Sequence, residues 1–307
     1  MSRFAAVDVG SNSVKLLVAE RGPDGAWVPL SQRTEVTRLG RGVDQTGALA
    51  PERMAATLEA VTSLVSEARS LGARDVAAVG TSAARDARNG AEFLSQLKAA
   101  TGLELEILSG DDEARLCFLA VQHDFGRQGN RPVVAVDVGG GSTEIIYGTP
   151  EGTVQFRHSF DVGSVRLTER HVRTHPVPSD QARALRDEVT RTFAALPPPP
   201  ADARVVGVSG TPTTLYAALE GIEPYDPDRV HGAEMTTAAL LGFAERLAGL
   251  TVEQRIRTYR IHPGRADVLC AGAWILGGAL DRLGANTCVV SDRGVRWGLL
   301  YERFGST

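Results

Sequence analysis

The chain contains the same short pattern twice. Residues 6–17 read AVDVGSNSVKLL and residues 135–146 read AVDVGGGSTEII. Each copy is an apolar run that ends in Asp, a glycine-rich turn and a second apolar run, which is the pattern of two strands joined by a turn. A constant offset aligns three residues of the copies: Asp8 with Asp137, Gly10 with Gly139 and Ser13 with Ser142. The copies differ where the second has Glu144 and the first has Lys15.

The rest of the chain repeats the alternation of strands and helices around these two copies. A third strand is predicted at 27–30, a long helix at 49–72 and a buried strand that ends in a loop at 75–83. A shorter helix, a strand and a helix follow up to residue 125. A polar break, GRQGNRP, precedes the second copy, and PPPP at 197–200 is predicted to be a stiff loop between a helix and a strand. We therefore predict an α/β protein of two related domains, 1–125 and 126–297, with a cleft between them and a terminal helix, 298–307, packed back on the first.

The amino-acid composition limits the classes of protein to which the chain can belong. A chain of 307 residues with 43% hydrophobic and 23% charged residues is long enough for two ordinary globular cores. A net charge of -4 excludes a globally basic nucleic-acid binder. No signal-peptide pattern and no apolar run of about 18 residues is present, so we expect a soluble, cytoplasmic protein without a membrane partner. The three cysteines, Cys117, Cys270 and Cys288, are then expected to be reduced thiols.

The glycine-rich turns point to a phosphate ligand. Both the Walker and the Rossmann motifs open a helix, whereas GGGSTEIIYG continues as a strand, so neither motif fits. Consecutive N–H groups in such a turn can form an anion site, and the preceding Asp can hold a cation or its water. The alternative is a pair of plain hairpin turns, in which Gly, Asn and Ser are common. The predicted phosphate-binding residues are Gly10, Ser11, Asn12 and Ser13 in the first turn, Gly139, Gly140, Gly141, Ser142 and Thr143 in the second, and Ser209, Gly210 and Thr211 of GVSGT.

Six segments in order resemble the Ppx/GppA family of exopolyphosphatases and guanosine pentaphosphate phosphohydrolases: DVGSNSVKLLV, GTSAARDARN, LSGDDEARL, DVGGGSTEI, GVSGT and SDRGVRWGLL. The resemblance covers essentially the whole chain, in a short two-domain form. It implies two duplicated ribonuclease H-like domains of the actin, sugar kinase and Hsp70 superfamily. It also implies a Mg²⁺ or Mn²⁺ cofactor, a homodimer and hydrolysis of the terminal phosphate of polyphosphate or of pppGpp, a molecule of the stringent response.

The resemblance also implies roles for four acids. Glu113, which precedes Ala-Arg in DDEAR, would be the general base, and Asp137 and Glu144 would organise Mg²⁺ or water, with Asp8 as their first-domain counterpart. Local structure offers alternatives. Ser109 and Asp112 could form a helix capping box, which would leave Glu113 solvated, and Glu144 could be an exposed strand residue.

Basic residues follow several predicted strands. Arg85 offers a bidentate contact for phosphate oxygens, against the alternative of a surface ion pair with Asp86. Lys15 is interpreted as an edge-strand charge rather than a substrate contact. Arg88 is a further candidate, and Arg265, Arg293 and Arg296 could extend a cationic track.

Trp297 stands where the family usually has Glu. His171 and His175 are four positions apart but are not predicted to bind metal, because Pro176 ends any helix there.

Four functions are compatible with these features. An exopolyphosphatase is favoured, because the short form lacks the extra region of longer members. The alternative is a pppGpp 5′-phosphohydrolase that yields ppGpp, since both substrates offer the same terminal phosphoanhydride. A non-catalytic sensor of ppGpp or polyphosphate has no use for Glu113, and a kinase would need an adenosine pocket and an acceptor site.

Overall fold

The structure, a computed structural model, describes residues 2–126 and 130–305. The chain forms two compact units. The first contains the residues up to 116 and those from 295 onward, and the second contains residues 117–294. The sequence-derived limits at 125/126 and 297/298, and the cleft between the domains, stay predictions.

The first unit is built on a five-stranded sheet in the order β3-β2-β1-β4-β5. Strands β1 and β2 are antiparallel, as are β2 and β3, whereas β4 lies parallel to β1 and β5 parallel to β4. The apolar runs of β1 and β2 are buried because helices and neighbouring strands cover them. The strands are β1 (Ser2–Val9), β2 (Val14–Arg21), β3 (Trp27–Glu35), β4 (Asp75–Gly80) and β5 (Leu105–Ile107).

Three helices of this unit lie at the predicted places. Two short helices, Val43–Thr46 and Ser82–Asp86, were not predicted, and the second lies where a loop was expected after β4. The long helix begins at Pro51, whose missing N–H is not needed in a first turn, and it ends before Gly72, which has a φ of +79°. The helices are α1 (Val43–Thr46), α2 (Pro51–Ser70), α3 (Ser82–Asp86), α4 (Gly90–Thr101) and α5 (Gly110–Val121). The helix predicted at 111–125 is α5, and its last residues form a π-helical turn, Gln122–Gly126.

The second unit is built on a six-stranded sheet in the order β10-β11-β9-β6-β7-β8. The strands are β6 (Val133–Val138), β7 (Thr143–Gly148), β8 (Val154–Phe160), β9 (Arg204–Val208), β10 (Glu234–Thr236) and β11 (Thr287–Ser291). The first helices are α6 (Ser164–His171), α7 (Ser179–Phe193), α8 (Gly210–Glu220) and α9 (Pro227–Val230). The others are α10 (Thr237–Ala248), α11 (Val252–Tyr259), α12 (Pro263–Ala266) and α13 (Leu269–Arg282). The core of this unit lies around α13, which is buried along most of its length.

The two sheets share one topology. In the second sheet β7 is antiparallel to β6 and β8 is antiparallel to β7, while β9 is parallel to β6 and β11 is parallel to β9. This repeats β1 to β5 strand for strand, and β10 is an added edge strand that pairs with β11. The predicted fold class, a duplicated ribonuclease H-like α/β fold, is confirmed. The edge-strand interpretation of Lys15 is wrong, because β2 is an interior strand between β1 and β3.

The terminal helix, α14 (Val295–Phe304), packs in the first unit against β1 and β2. A Cβ at Gly298 would overlap the carbonyl group of Leu116, so only glycine allows this approach of α14 to α5. Trp297 is 1% exposed and its ring packs near Tyr301. Trp297 is therefore a core residue. Within the described part of the chain, none of the helices has the length and apolar character needed to cross a membrane.

Candidate active site

Both glycine-rich turns are closed in the same way. In the first turn (residues 10–13) the N–H of Gly10 donates to the carbonyl oxygen of Ser13, at 3.0 Å. In the second turn (residues 139–142) the N–H of Gly139 donates to the carbonyl oxygen of Ser142, also at 3.0 Å. The turns join antiparallel strands, as predicted.

The carbonyl groups of the second turn are held by the start of α6. The carbonyl oxygens of Gly139 and Gly140 each accept from α6 backbone N–H groups at 2.9 Å, and that of Gly141 accepts from Nε of Arg166 at 2.7 Å. A peptide N–H points opposite to the carbonyl oxygen of the same peptide. The N–H groups of Gly140, Gly141 and Ser142 therefore point away from α6, as an anion site requires.

The first turn is held in the same manner by the loop that follows β3. The carbonyl oxygen of Ser11 accepts from the N–H of Gly40 at 2.8 Å, and that of Asn12 accepts from the N–H of Arg38 at 3.0 Å. By the same rule, the N–H groups of Asn12 and Ser13 point away from this loop. The repeat therefore extends from the turns to the segments that support them.

Several hydroxyl groups of the predicted phosphate-binding set are used inside the units. Thr143 donates to the carbonyl oxygen of Val162 at 2.6 Å, and Thr211 donates to that of Val138 at 2.8 Å. The Oγ atoms of Ser11 and Ser82 lie 2.8 Å apart. These hydroxyls stabilise the turns, so the backbone N–H groups of the turns are the better candidates for phosphate contacts.

The two copies differ in the pair of side chains beside the turn. Asp137 lies directly opposite Glu144 in the register of β6 and β7, and Asp8 lies opposite Lys15 in that of β1 and β2. Nζ of Lys15 is 3.6 Å from Oδ2 of Asp8. The exposed fractions of Asp137 and Glu144 are 4% and 0%, so Glu144 is not the exposed strand residue of the alternative interpretation.

The acid pair fits a divalent cation. Oδ2 of Asp137 accepts from Ser209 Oγ at 2.9 Å, and Oε1 of Glu144 accepts from Ser159 Oγ at 2.7 Å. Like charges directly opposite each other destabilise a strand pair, and a cation removes this cost. No group of three or more His, Cys, Asp or Glu suited to metal occurs within residues 2–126 and 130–305. Mg²⁺ needs only one or two carboxylates when water and phosphate supply the remaining ligands.

Ser209 and Gly294 complete the surroundings of Asp137. Ser209 has a φ of +74°, a conformation that costs energy in any residue except glycine and that is concentrated at functional sites. A Cβ at Gly294 would lie 2.7 Å from Ser209 Oγ, so the backbone of the loop after β11 lies directly on the Ser209–Asp137 hydrogen bond. Sequence reasoning proposed Ser209 but not Gly294, because an isolated Gly gives no sign of which residue its backbone approaches.

Glu113 lies in the first turn of α5 and is 7% exposed. The expected cap is present beside it, because Ser109 Oγ accepts from the N–H of Asp112 at 3.1 Å. This cap involves Asp112 and leaves the Glu113 side chain inside the unit. Oε2 of Glu113 is 3.6 Å from Nη1 of Arg85, so the predicted phosphate-binding arginine lies beside the predicted base.

The remaining arginines have different surroundings. Arg85 also lies 3.3 Å from Asp86, so the alternative ion pair is present as well, and Arg88 donates to the carbonyl oxygen of Thr46 at 2.6 Å. The guanidinium of Arg265 lies over the Cα of Gly210, at the N-terminus of α8.

Arg296, a member of the suggested cationic track, is buried in the first unit. It is 8% exposed and donates to Gln32 Oε1 at 2.8 Å. The cationic track itself stays a prediction. His171 contacts Glu188, and the histidines form no metal cluster in the described ranges.

Comparison with known proteins places the chain in a family. Residues 17–307 match the Ppx/GppA phosphatase family. The chain is 37% identical to Exopolyphosphatase 2 of Mycobacterium tuberculosis over 99% of both chains, and 28% identical to Exopolyphosphatase 1 of Mycobacterium bovis over 99% of this chain and 89% of that one. A crystal structure of the Aquifex aeolicus Ppx/GppA family member has a TM-score of 0.81 at 31% identity and covers 98% of this chain and 97% of its own. An exopolyphosphatase-like protein superposes with a TM-score of 0.91 at 29% identity over 99% of both chains. The chain belongs to the Ppx/GppA phosphatase family.

Proposed function

We propose that this protein is an exopolyphosphatase that releases the terminal phosphate of inorganic polyphosphate. The main observation behind the proposal is that the buried carboxylates of Asp137 and Glu144 lie beside the second turn. The N–H groups of this turn point away from α6, which holds its carbonyl groups. Cation-binding carboxylates and anion-binding amides next to each other suit a metal-bound phosphate. The 37% identity with a full-length relative named Exopolyphosphatase 2 supports the same substrate.

In the proposed reaction Glu113 is the general base. Its carboxylate accepts a proton from a water molecule whose oxygen forms a bond to the terminal phosphorus, and the bridging oxygen leaves with the shortened chain. Because Arg85 lies 3.6 Å away, Glu113 is held next to a positive charge that can also contact a phosphate oxygen. The products are inorganic phosphate and a polyphosphate one unit shorter.

Asp137 and Glu144 would hold Mg²⁺, or Mn²⁺ in its place, with Asp8 a further candidate. The cation would neutralise negative charge on the transferred phosphate. Ser209 and Ser159 orient the two carboxylates through the hydrogen bonds described above. Asp8 is neutralised by Lys15, so the first copy has a built-in cation where the second has an additional acid.

A phosphate-release assay tests the proposal. The substrates are short and long polyphosphate, pppGpp and ATP, each with and without Mg²⁺. We expect Mg²⁺-dependent phosphate release from polyphosphate, with pppGpp and ATP hydrolysed more slowly. Faster release from pppGpp would instead assign the 5′-phosphohydrolase function, and no release from any substrate would contradict both.

We further propose that the protein works in the cytoplasm as a homodimer. Three buried cysteines without a disulfide support a reducing compartment. The homodimer is implied by the family resemblance, and light scattering coupled to size-exclusion chromatography tests it. A mass of one chain would contradict it.

A further inference from the structure

The loop between β11 and α14 forms one wall of the Asp137 site. Its Gly294 has no room for a side chain, because a Cβ there would lie 2.7 Å from Ser209 Oγ and 3.8 Å from Oδ2 of Asp137. A small movement of this backbone would therefore displace the Ser209 hydroxyl that orients Asp137. The position of the Asp137 carboxylate depends on what holds residues 291–294.

Arg293 makes one of the contacts that hold the loop of residues 291–294 in place. Within the loop, Ser291 Oγ accepts from the N–H of Arg293 at 3.1 Å and donates to its carbonyl oxygen at 3.2 Å. Outside the loop, Nη1 of Arg293 donates to Oδ1 of Asp124 at 2.9 Å. The side chains of Arg293 and Asp124 are 29% and 8% exposed, so removal of the arginine would leave a largely buried carboxylate without this partner, which costs more than breaking a surface pair.

His231 joins the same network from the other side. Its Nδ1 lies 3.1 Å from Oδ1 of Asp292, and its Nε2 lies 3.7 Å from Oδ2 of Asp124. Its ring packs on that of Phe125, with 5.2 Å between the centroids. Asp124 and Phe125 belong to the π-helical turn after α5, a kind of irregularity found frequently at functional sites. The loop is thus tied at Asp292 and at Arg293 to one short segment.

We infer that Asp124 and Arg293 are positioning residues of the active site, which hold the loop of Gly294 and thereby set the Ser209–Asp137 hydrogen bond. The inference rests on the proposed function, since it assigns these residues a part in phosphate release. Neither residue is expected to touch the substrate. They act through the loop backbone, where a displacement of about 1 Å can cost on the order of a hundredfold in rate.

Two variants test this: Arg293→Met and Asp124→Asn, with Arg186→Met as the matched control. Arg186 is also an ion-paired arginine of the second unit, but it joins α7 to Glu245 of α10. We expect each test variant to lower kcat for polyphosphate by about tenfold or more, with KM within about twofold of wild type. We expect the double variant to lose no more than about twofold beyond either single variant, because both single variants remove the Asp124–Arg293 ion pair. Arg293→Lys, which keeps the charge, should recover part of kcat.

Hydrogen–deuterium exchange gives a readout that does not depend on activity. We expect faster exchange in the peptides that contain residues 291–294 and Ser209 in both test variants, and no such change in Arg186→Met. Two outcomes would overturn the positioning role. One is that exchange and kcat are unchanged in variants that remain active. The other is that the variants are unfolded at the assay temperature and Arg293→Lys gives no recovery. A wild-type protein that releases no phosphate from any substrate would overturn the proposed function instead.

Discussion

Asp137 and Glu144 face each other across the β6–β7 pair as two buried carboxylates, at the position where β1 and β2 carry the ion pair of Asp8 and Lys15. The first copy of the repeat thus neutralises its acid within the chain. The second copy has an additional acid in place of the lysine, which suits a bound cation. This difference gives the two halves of a duplicated fold different chemistry.

Glu113→Gln is expected to lower kcat for phosphate release by about a hundredfold or more, because the amide cannot accept the proton of the attacking water. The melting temperature should stay close to that of wild type, since Gln keeps the size of the side chain. Asp111→Asn is the control, because Asp111 lies exposed in the same first turn of α5. Equal losses of kcat in both variants would show that negative charge in the first turn of α5 matters, rather than proton acceptance by Glu113.

Glu144→Gln is expected to raise the free energy of unfolding by about 1 kcal/mol in the absence of divalent cations, because it removes one of two opposed buried charges. The amide oxygen can still accept from Ser159 Oγ. Thermal unfolding with and without MgCl₂ measures the effect. We expect Mg²⁺ to stabilise wild type and to have little effect on the variant. An equal Mg²⁺-dependent shift in both proteins would contradict the assignment of Glu144 to the metal.

Lys15→Met is expected to lower the free energy of unfolding by about 3 kcal/mol, because it leaves the buried Asp8 carboxylate without its positive partner. Adding Asp8→Asn should restore most of this loss. Lys98→Met is the control, since Lys98 pairs with Glu104 on the surface and such pairs contribute about 0.5 kcal/mol. Urea denaturation compares the three variants. A loss no larger than that of Lys98→Met would mean that the Asp8–Lys15 pair is solvated.

Gly163→Ala is expected to displace the second turn. Gly163 has an extended backbone that any residue adopts, but an added Cβ would overlap the carbonyl group of Gly140. We expect a loss of about 1–3 kcal/mol in the free energy of unfolding and a marked fall in kcat/KM. Gly242→Ala in α10 is the control: the Cβ there meets only Arg246 at 3.6 Å, and Ala favours a helix by about 1 kcal/mol. Full activity of Gly163→Ala would contradict the role of α6 in holding the turn.

The thiols of Cys270 and Cys288 are expected to be unreactive in the folded protein. Burial raises the pKa of each to about 12, so at about pH 8 only about one molecule in ten thousand carries a given thiolate. Raising the pH toward 12 should increase reactivity, because the thiolate is the reactive form. Titration with a disulfide reagent should therefore show little reaction at about pH 8 until the protein is denatured. Rapid reaction of either cysteine in native protein would contradict the burial.

Much of the fold could be predicted because its signals are local. Alternating or continuous apolar residues indicate the strands, and Pro51 and Gly72 mark the limits of α2. The similarity of residues 6–17 and 135–146 indicated a duplication, which the shared strand order of the two sheets confirms. The same local patterns indicated that both turns join antiparallel strands.

The sequence by itself determined the elements, the repeat and the types of residue available for phosphate chemistry. Only the tertiary structure decided that β2 is interior, that Arg296 is buried and that Gly294 lies on the Ser209–Asp137 hydrogen bond. The reason is that strand order and loop contacts depend on hydrogen bonds and packing between segments far apart in the chain. An apolar strand has the same local pattern at the edge and in the middle of a sheet, and a single glycine does not indicate which side chain its backbone approaches.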